Sequence, residues 1–449
     1  MKHFLMPLLA MLSFAAGAQD TTRISLLFAG DIMGHDSQIA SAYDPASGQY
    51  DYTACLASMK PYIESADIAI GNLEVTLAGP PYKGYPQFSS PDALAVAVRE
   101  MGFDALVTAN NHSVDRGKKG ILRTISVLDS LGIPHTGTFA GEEARRNEYP
   151  LILQKNGFTL ALLNYTYGTN GIPVPAPGMV NLIDTAQMRV DIHKAQQVNP
   201  DAIIVFVHWG NEYESLPTRG QRQLADYLCR LGADLVIGSH PHVLQPMEWR
   251  KEENKLVVYS LGNFVSGQRK RYTDGGAMAY TELMKVRYKP DSAVTSIDSA
   301  GYFLQWVYRT EDENRDYYMV PVPHAEKDPY TFKGSAASQA AFRQFVTDSR
   351  ALYGEHNINV PEIAQVPPDS VVRFRVHLAM NTPPTGGGAS LSALDAYHFY
   401  GIEPIEDETG PAFLIGNFNN IGYAERLCRK LLEAGHEAKV VRCVNGTGR

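Results

Sequence analysis

Six short segments of this sequence carry residue types that bind metal ions or transfer protons. Each follows a run of aliphatic or β-branched residues and contains a carboxylate, an amide or an imidazole. In chain order they are Gly30-Asp31-Ile32-Met33-Gly34-His35-Asp36, Gly71-Asn72-Leu73-Glu74, Ala109-Asn110-Asn111-His112-Ser113-Val114-Asp115, His208-Trp209-Gly210, Gly238-Ser239-His240-Pro241-His242 and Leu261-Gly262-Asn263-Phe264. One such segment is weak evidence, because Gly, Asn and Asp are common in ordinary turns. Carboxylate oxygens and imidazole nitrogens are protein ligands of Zn, Mn and Fe, so the coincidence of six segments indicates a metal site.

The runs that precede these segments predict the strands that must position them. Short, continuously apolar runs are typical of strands buried on both faces. The runs are Ile24–Ala29, Ile68–Ile70, Ala105–Thr108, Leu160–Asn164, Ala202–Val207, Leu235–Ile237 and Leu256–Ser260. Amphipathic spacing predicts helices over Pro91–Met101, Lys119–Leu131 and Thr218–Leu231, and the alternation of strand and helix predicts an α/β domain. Since ligands bind at the carboxyl ends of strands in such domains, we expect the six segments to meet at one edge.

Composition narrows the possible partners and the compartment. The chain has 449 residues, 44% of them hydrophobic, and a net charge of −8, which argues against a nucleic-acid partner. Its first residues, with Lys2 and His3 before an apolar run and Ala16-Gly17-Ala18 after it, predict a signal peptide over residues 1–18. No later run is long enough to span a bilayer. We therefore expect an exported chain, periplasmic or associated with the cell envelope, with no transmembrane span after cleavage.

The order of the motifs GDIM, GNLE, NNH, HWG, GSHPHV and SLGNF resembles the CapA family, which is named for poly-γ-glutamate capsule synthesis proteins. That family is related to the calcineurin-like metallophosphoesterases. The resemblance covers about residues 24–264. It implies a metallophosphoesterase-like four-layer α/β sandwich over residues 19–335 and a centre of one or two divalent ions (Mn, Zn or Fe).

The resemblance also implies roles for individual residues. The residues that match metal-ligand positions are Asp31, Glu74, Asn111, His208, His240 and His242. Glu74 stands where the wider superfamily has its bridging aspartate, and His112, together with Asp31, matches the catalytic position beside the scissile bond. Candidates for substrate binding are Asn72, Asn263 and Arg116. For Arg116 a solvated helix face is the alternative.

Two departures from the wider superfamily leave the metal count open. Met33 stands where the first motif has a histidine, and a thioether is a poor ligand for hard divalent ions. His35 is an alternative ligand at a different spacing. The second motif has Asn72 and Glu74 in place of aspartates, which favours one tightly bound ion and a second, weaker one.

Basic and aromatic residues near the motifs have two interpretations each. The run Arg269-Lys270-Arg271 either steers a polyanion toward the site or forms an exposed loop. Trp209 and Tyr213 either line a groove or pack in the core, and packing is the better interpretation.

The C-terminal part of the chain predicts a separate small unit. A helix and a proline-containing linker are expected over residues 336–368, followed by an α+β unit over residues 369–449. The segments Phe374–Leu378, Phe413–Gly416, Ala424–Gly435 and Ala438–Gly446 resemble a SPOR domain. This resemblance implies binding to peptidoglycan glycan strands, and an accessory packing domain is the alternative. A disulfide between Cys428 and Cys443 is left open, because sequence does not supply the geometry.

Together these features predict an exported metal-dependent hydrolase tethered to peptidoglycan. Its substrate would be a capsule or cell-envelope polymer, cleaved at a phosphoester, γ-glutamyl or peptidoglycan bond. Two alternatives stay open at this point: a non-catalytic scaffold of polymer assembly, and a periplasmic phosphoesterase for soluble substrates.

Overall fold

The computed structural model describes residues 20–289, 292–311, 315–327, 334–365, 373–379, 402–407, 410–418, 421–444 and 447–448. The predicted signal peptide over residues 1–18 lies outside the described residues. Within them, no helix has the length and apolar character needed to cross a bilayer.

The strands in chain order are β1 (Asp20–Ile32), β2 (Tyr43–Asp44), β3 (Gln49–Tyr50), β4 (Ile68–Leu73), β5 (Ala105–Val107), β6 (His135–Thr136), β7 (Thr138–Phe139), β8 (Leu151–Lys155), β9 (Phe158–Thr166), β10 (Met179–Val180), β11 (Ala202–His208), β12 (Leu235–Ser239), β13 (Leu244–Arg250), β14 (Lys255–Leu261), β15 (Asn263–Val265), β16 (Gly275–Lys289), β17 (Ser292–Arg309), β18 (Tyr317–Pro321), β19 (Arg373–Ala379), β20 (Ile402–Asp407), β21 (Gly410–Phe418), β22 (Ala438–Val444) and β23 (Thr447–Gly448). All seven predicted strands are present.

The helices are α1 (Asp36–Ala42), α2 (Thr53–Leu56), α3 (Lys60–Ile63), α4 (Ala93–Glu100), α5 (Gly117–Ser130), α6 (Glu142–Glu148), α7 (Thr185–Gln197), α8 (Arg219–Leu231), α9 (Val322–Lys327), α10 (Ala336–His356) and α11 (Ile421–Glu433). The three predicted helices of the first domain correspond to α4, α5 and α8. Helix α8 begins after Thr218, whose hydroxyl accepts a hydrogen bond from the Gln221 N–H, and ends at Gly232 in a left-handed conformation.

Two mixed sheets stack face to face in the first domain. One has the order β18-β17-β16-β1-β4-β5-β6 with β15 also paired to β1, and the other has the order β13-β14-β12-β11-β9-β8. Apolar residues of both sheets, such as Phe28, Ile70, Leu162 and Phe206, form one continuous core between them. Separate cores join the outer face of the first sheet to α4 and that of the second sheet to α7 and α8. The architecture is therefore helix, sheet, sheet, helix, the four layers expected from the sequence.

Strand register places polar residues in two facing rows. In the first sheet, Asp31 is aligned with Asn72 on one side and with Asn263 on the other. In the second sheet, His208 is aligned with Ser239 and Thr166. The register of β1 shifts between Ala29 and Asp31, and a side chain at the intervening Gly30 would meet the Gly262 carbonyl oxygen at 2.0 Å.

Residues expected to form a linker belong instead to the first domain. Helix α10 contributes Phe342, Phe345 and Tyr353 to the core between the sheets, and the chain after it adds Val360. Trp249 N–H donates to the Ile358 carbonyl, which ties this segment to β13. The first domain therefore extends to about residue 360, because the amphipathic helix buries its apolar face against the sheets.

The C-terminal unit is a small α+β arrangement, as the sequence predicts. Its sheet has the order β20-β21-β19-β22-β23, and α11 packs Ala424, Leu427 and Leu431 against Val376 and Ile415. Cys428 is buried and has a free thiol. The side chain of Cys443 lies outside the described residues, so the pairing that the sequence left open is not tested.

The buried amide of Asn164 joins the two sheets beside the polar rows. Asn164, at the end of β9, accepts hydrogen bonds through Oδ1 from the N–H groups of Thr108 (3.1 Å) and Ala109 (2.7 Å). Its Nδ2 donates to the Phe206 carbonyl at 3.1 Å. The loop after β5 is therefore fixed to the second sheet through this side chain.

Replacing Asn164 with Leu should lower the free energy of unfolding by about 3 kcal/mol, because it leaves buried backbone groups without partners. Denaturant unfolding of the full chain measures this loss. The exposed strand residue Gln154, changed to Leu, is the matched control and should shift stability by less than about 0.5 kcal/mol. Equal stability of both variants would contradict the role of Asn164.

Candidate metal centre

Asp31 is fixed from two directions at the end of β1. It is fully buried, and its Oδ1 accepts a hydrogen bond from Asn72 Nδ2 at 2.8 Å. Its Oδ2 lies 3.1 Å from His242 Nδ1. Asp31 therefore faces both the first sheet and the loop that follows β12.

Glu74 is a buried carboxylate with no hydrogen-bond partner. It lies just beyond β4, and neither of its oxygens is hydrogen-bonded within the described part of the chain. Glu74 Oε1 lies 3.4 Å from His208 Nε2 and 3.9 Å from His242 Nε2. Burial, followed by the nearby charge of Asp31, raises the pKa of Glu74 well above its ordinary value. A carboxylate in this state needs either a proton or a cation beside it.

The histidines are held in a form suited to ligation. His208 ends β11, and its Nδ1 lies 2.9 Å from Ser239 Oγ, which leaves Nε2 facing Asn111 Oδ1 at 2.9 Å. Burial, then the neighbouring imidazoles, lowers the pKa of His208 well below its ordinary value. Burial likewise lowers the pKa of His240 to about 3, with His242 as the next cause. Both rings are therefore neutral near pH 7, as metal ligands must be.

The loop that carries His240 and His242 has an uncommon backbone. His240 has a backbone φ of 100° and His242 has one of 57°. Residues other than Gly seldom adopt this backbone conformation. The preceding Gly238 has no room for a side chain, since a Cβ there would lie 2.1 Å from the Tyr259 carbonyl oxygen. These constraints turn both imidazoles into the space between the sheets, where their ring centroids lie 6.1 Å apart.

The ligand atoms form two groups that share Glu74. One consists of Glu74, His208 and His240, and the other of Asp31, Glu74 and His242, each with its candidate atoms within 4.8 Å of one another. Asn111 adjoins the first group through His208. The structure thus brings together all six residues expected as ligands. Because Glu74 carries two unpaired oxygens and the donors are carboxylates and neutral imidazoles, the residues present fit one or two divalent ions.

His112 lies beside the ligands in a fixed orientation. It is buried, and its Nδ1 lies 2.7 Å from Asp115 Oδ2, the same oxygen that accepts the Phe88 N–H at 2.7 Å. The ring of Phe88 packs edge-on against the imidazole at 4.6 Å. Asp115 therefore sets the tautomer, with the proton on Nδ1, and frees Nε2 for proton transfer.

Two residues expected to bind substrate have other partners. The Asn72 amide is committed to Asp31 and to Asn110 Nδ2 (3.3 Å). Asn263 Oδ1 lies 3.1 Å from His242 Nδ1, and its Nδ2 donates to the Thr273 carbonyl at 2.8 Å. Both asparagines are fully buried, so this placement makes them positioning residues for Asp31 and His242 rather than substrate ligands.

Of the remaining candidates, Arg116 is still a candidate for substrate binding, whereas Met33 and His35 do not belong to the ligand groups. Arg116 is partly exposed, and its Nε and Nη2 have no partner within the described residues, so its role in substrate binding stays a prediction. Met33 packs in the core and is not a ligand. His35 accepts the Gly267 N–H through Nδ1, and burial lowers its pKa to about 4. It belongs to neither ligand group.

Sequence reasoning missed Tyr167 and Ser239 as parts of the site. Tyr167 is 46% exposed, its ring lies 4.6 Å from that of His240, and its N–H donates to the His208 carbonyl. Tyr167 follows the predicted strand Leu160–Asn164, at the sheet edge where the six motifs also lie. This position was the one feature of the sequence that could have indicated its place in the site. Ser239 gave no signal beyond its place before His240.

Changing Glu74 to Gln should weaken binding of Mn²⁺ or Zn²⁺ at least 10-fold, because both ligand groups lose their shared carboxylate. Metal content after dialysis and calorimetric titration measure this effect. Glu253→Gln, an exposed carboxylate outside the site, is the control and should bind metal as the native chain does. Unchanged metal affinity in the Glu74 variant would exclude this cluster as the metal centre.

Comparison with known proteins finds relatives that are named as capsule biosynthesis proteins. Over 279 residues the chain is 30% identical to capsule biosynthesis protein CapA of Bacillus anthracis, covering 59% of this chain and 65% of that protein. Over 310 residues it is 28% identical to PGA biosynthesis protein CapA of Bacillus subtilis, covering 62% and 76%. The chain thus spans slightly less than two thirds of the first relative.

A solved structure and a family model complete the comparison. The calcineurin-like phosphoesterase YfkN of Bacillus subtilis aligns with 74% of this chain and 98% of its own, at 14% identity and a TM-score of 0.40. The model of the bacterial capsule synthesis protein family PGA_cap matches residues 25–268, which include all six motifs and every residue of the two ligand groups. By this match over more than half of its length, the chain belongs to the PGA_cap family of bacterial capsule synthesis proteins.

Proposed function

We propose that this protein is an exported, metal-dependent hydrolase of a capsule or cell-envelope polymer, held at peptidoglycan by its C-terminal unit. The observation that carries the hydrolase is Glu74, a buried carboxylate with two unpaired oxygens that belongs to both ligand groups. Membership in a capsule synthesis family and the printed names of the relatives support a polymer substrate.

The chain's own residues supply positioning and proton transfer. Asp31, Glu74, Asn111, His208, His240 and His242 would hold a divalent ion, which would supply Lewis-acid polarisation and activate a water molecule. His112 Nε2 donates a proton to the leaving group, and Asp115 stabilises the imidazolium that is present before this transfer. Arg116 holds an anionic group of the substrate. The scissile bond is a phosphoester, a γ-glutamyl or a peptidoglycan bond.

A non-catalytic scaffold is the second candidate function. The amide of Asn72 supports it, because this side chain donates to Asp31 and adds no charge where a carboxylate would bind a second ion. A neutral amide holds a second ion less tightly than a carboxylate does, and a two-ion hydrolysis needs both ions in place. A periplasmic phosphoesterase for soluble substrates is a third outcome of the same experiment.

His112→Gln should lower turnover by about 100-fold or more while metal content stays unchanged, because a positioned acid contributes 10²–10⁴ to such reactions. The measurement is a panel of phosphoesters, poly-γ-glutamate and muropeptides with Mn²⁺, Zn²⁺ or Fe²⁺ added. The exposed helix residue His193, changed to Gln, is the control. Turnover of small phosphoesters alone would favour the soluble-substrate enzyme. No turnover by metal-loaded native protein would favour the scaffold.

Tethering to peptidoglycan rests on the resemblance of the C-terminal unit to a SPOR domain. The sheet of this unit, with α11 against its face, agrees with the α+β pattern that the resemblance implies. Export rests on the N-terminal pattern of the sequence.

The full chain should sediment with amidase-treated sacculi, whose glycan strands lack stem peptides. A chain ending at residue 365 should stay in the supernatant while it keeps its metal content. Equal sedimentation of both chains, or of neither, would contradict the tethering role.

A further inference from the structure

The basic run after the last motif does not act as one patch. The Arg269 guanidinium lies over the Tyr317 ring at 5.0 Å, and Arg271 pairs with Asp348 at 3.1 Å. Lys270 lies over the ring of Tyr213, with 3.7 Å from Nζ to the ring centroid. The outer two arginines therefore hold the loop to β18 and α10, whereas Lys270 packs on Tyr213.

Tyr213 forms the rim of the centre next to His242. Its ring centroid lies 6.2 Å from that of His242, and its N–H donates to the Pro241 carbonyl at 2.8 Å. The backbone of Tyr213 has φ 68°, so this residue is held in an uncommon conformation beside the ligand loop. Lys270 Nζ consequently lies within about 10 Å of the His242 ring, a distance that a few units of an extended polymer span.

The loop that carries Lys270 is connected to the candidate metal ligand His242 by hydrogen bonds. Gln268 Oε1 accepts from Asn263 Nδ2 at 3.0 Å, and Asn263 Oδ1 lies against His242 Nδ1. Gln268 Nε2 also reaches the Tyr213 hydroxyl at 3.5 Å. The position of Lys270 is thus coupled to the position of His242 rather than left to an independent surface loop.

The charge of Lys270 is available to a ligand. Lys270 is exposed, and within the described residues no carboxylate lies in ion-pair distance of its ammonium group. Its support is the face of an aromatic ring, which holds an ammonium group without neutralising it. Burial, followed by the charge of Glu212, raises the pKa of Tyr213 to about 12, so the ring beneath Lys270 carries no charge near pH 7. An anionic group near the rim is therefore attracted to the ammonium group of Lys270.

We propose that Lys270 is a specificity-determining residue, which binds an anionic group of the polymer unit adjacent to the bond positioned at the metal centre. The proposal rests on the polymer hydrolase proposed above. The group is a carboxylate or a phosphate, since an ammonium group binds either oxyanion. Tyr213 holds the ammonium group in place.

The test compares ligands that differ in length. Inorganic phosphate occupies the metal centre alone, whereas tetramers of γ-linked glutamate and of glycerol phosphate extend to the rim. Binding of each probe to the Mn²⁺-loaded full chain is measured at low and high salt for the native protein, Lys270→Gln and Lys270→Arg. Lys251→Gln is the matched control, because Lys251 also lies over an aromatic ring, that of Trp249 at 4.5 Å, but outside the site.

Lys270→Gln should weaken binding of one tetramer about five- to tenfold at low salt, with a smaller difference at high salt. Phosphate affinity should stay within about twofold, Lys270→Arg should restore tetramer binding, and Lys251→Gln should change neither. The tetramer affected identifies the anionic group as carboxylate or phosphate. If Lys270→Gln binds the tetramers as the native protein does, the proposed role of Lys270 is wrong, but the proposed polymer substrate is unaffected. A native protein that binds Mn²⁺ and phosphate but neither tetramer overturns the polymer substrate, and the role of Lys270 with it.

Discussion

The structure depends on how it accommodates negative charge in a dry interior. Asp31 and Glu74 are both fully buried between the two sheets, and the imidazoles of His208 and His240 beside them are neutral because burial lowers their pKa. Without a cation, the group is stable only if Glu74 keeps a proton, which its raised pKa allows. A divalent ion bound here would take the place of that proton and would supply the missing positive charge.

Hydrogen bonds from neighbouring residues determine which ring nitrogen of each histidine faces the centre. Ser239 takes His208 Nδ1, Asn263 takes His242 Nδ1 and Asp115 takes His112 Nδ1, so each ring offers Nε2 to the interior. Asn72 similarly occupies one oxygen of Asp31. Asn72, Asn263 and Ser239 therefore function as supports, and their neutrality keeps further charge out of the interior.

The sequence predicts the central strands well, and the reasons are physical. Runs such as Ala202–Val207 are continuously apolar because helices or a second sheet cover both faces, which a one-dimensional pattern records directly. The long strands β16 and β17 were not predicted, since their polar and apolar residues mix as one half of each strand leaves the core. The sequence predicts a helix at the position of α10, but the prolines that follow this helix made the whole segment look like a linker. Only the tertiary contacts of Phe345 and Tyr353 reveal that the helix belongs to the core. The contribution of Asn164 was equally hidden, because an amide that joins two sheets has no local pattern.

The pairing of β1 has a consequence for when the centre can assemble. Strand β1 lies in the interior of its sheet, with Asp31 aligned to Asn263 in β15 and Phe28 aligned to Ala279 in β16. Contacts of such long sequence separation form late, after the loop-closure cost is met. A nascent chain therefore carries Asp31 for more than two hundred residues of synthesis before β15 exists, although β4 follows soon after β1. The pairing that surrounds this first acidic residue is complete only once β16 has been made.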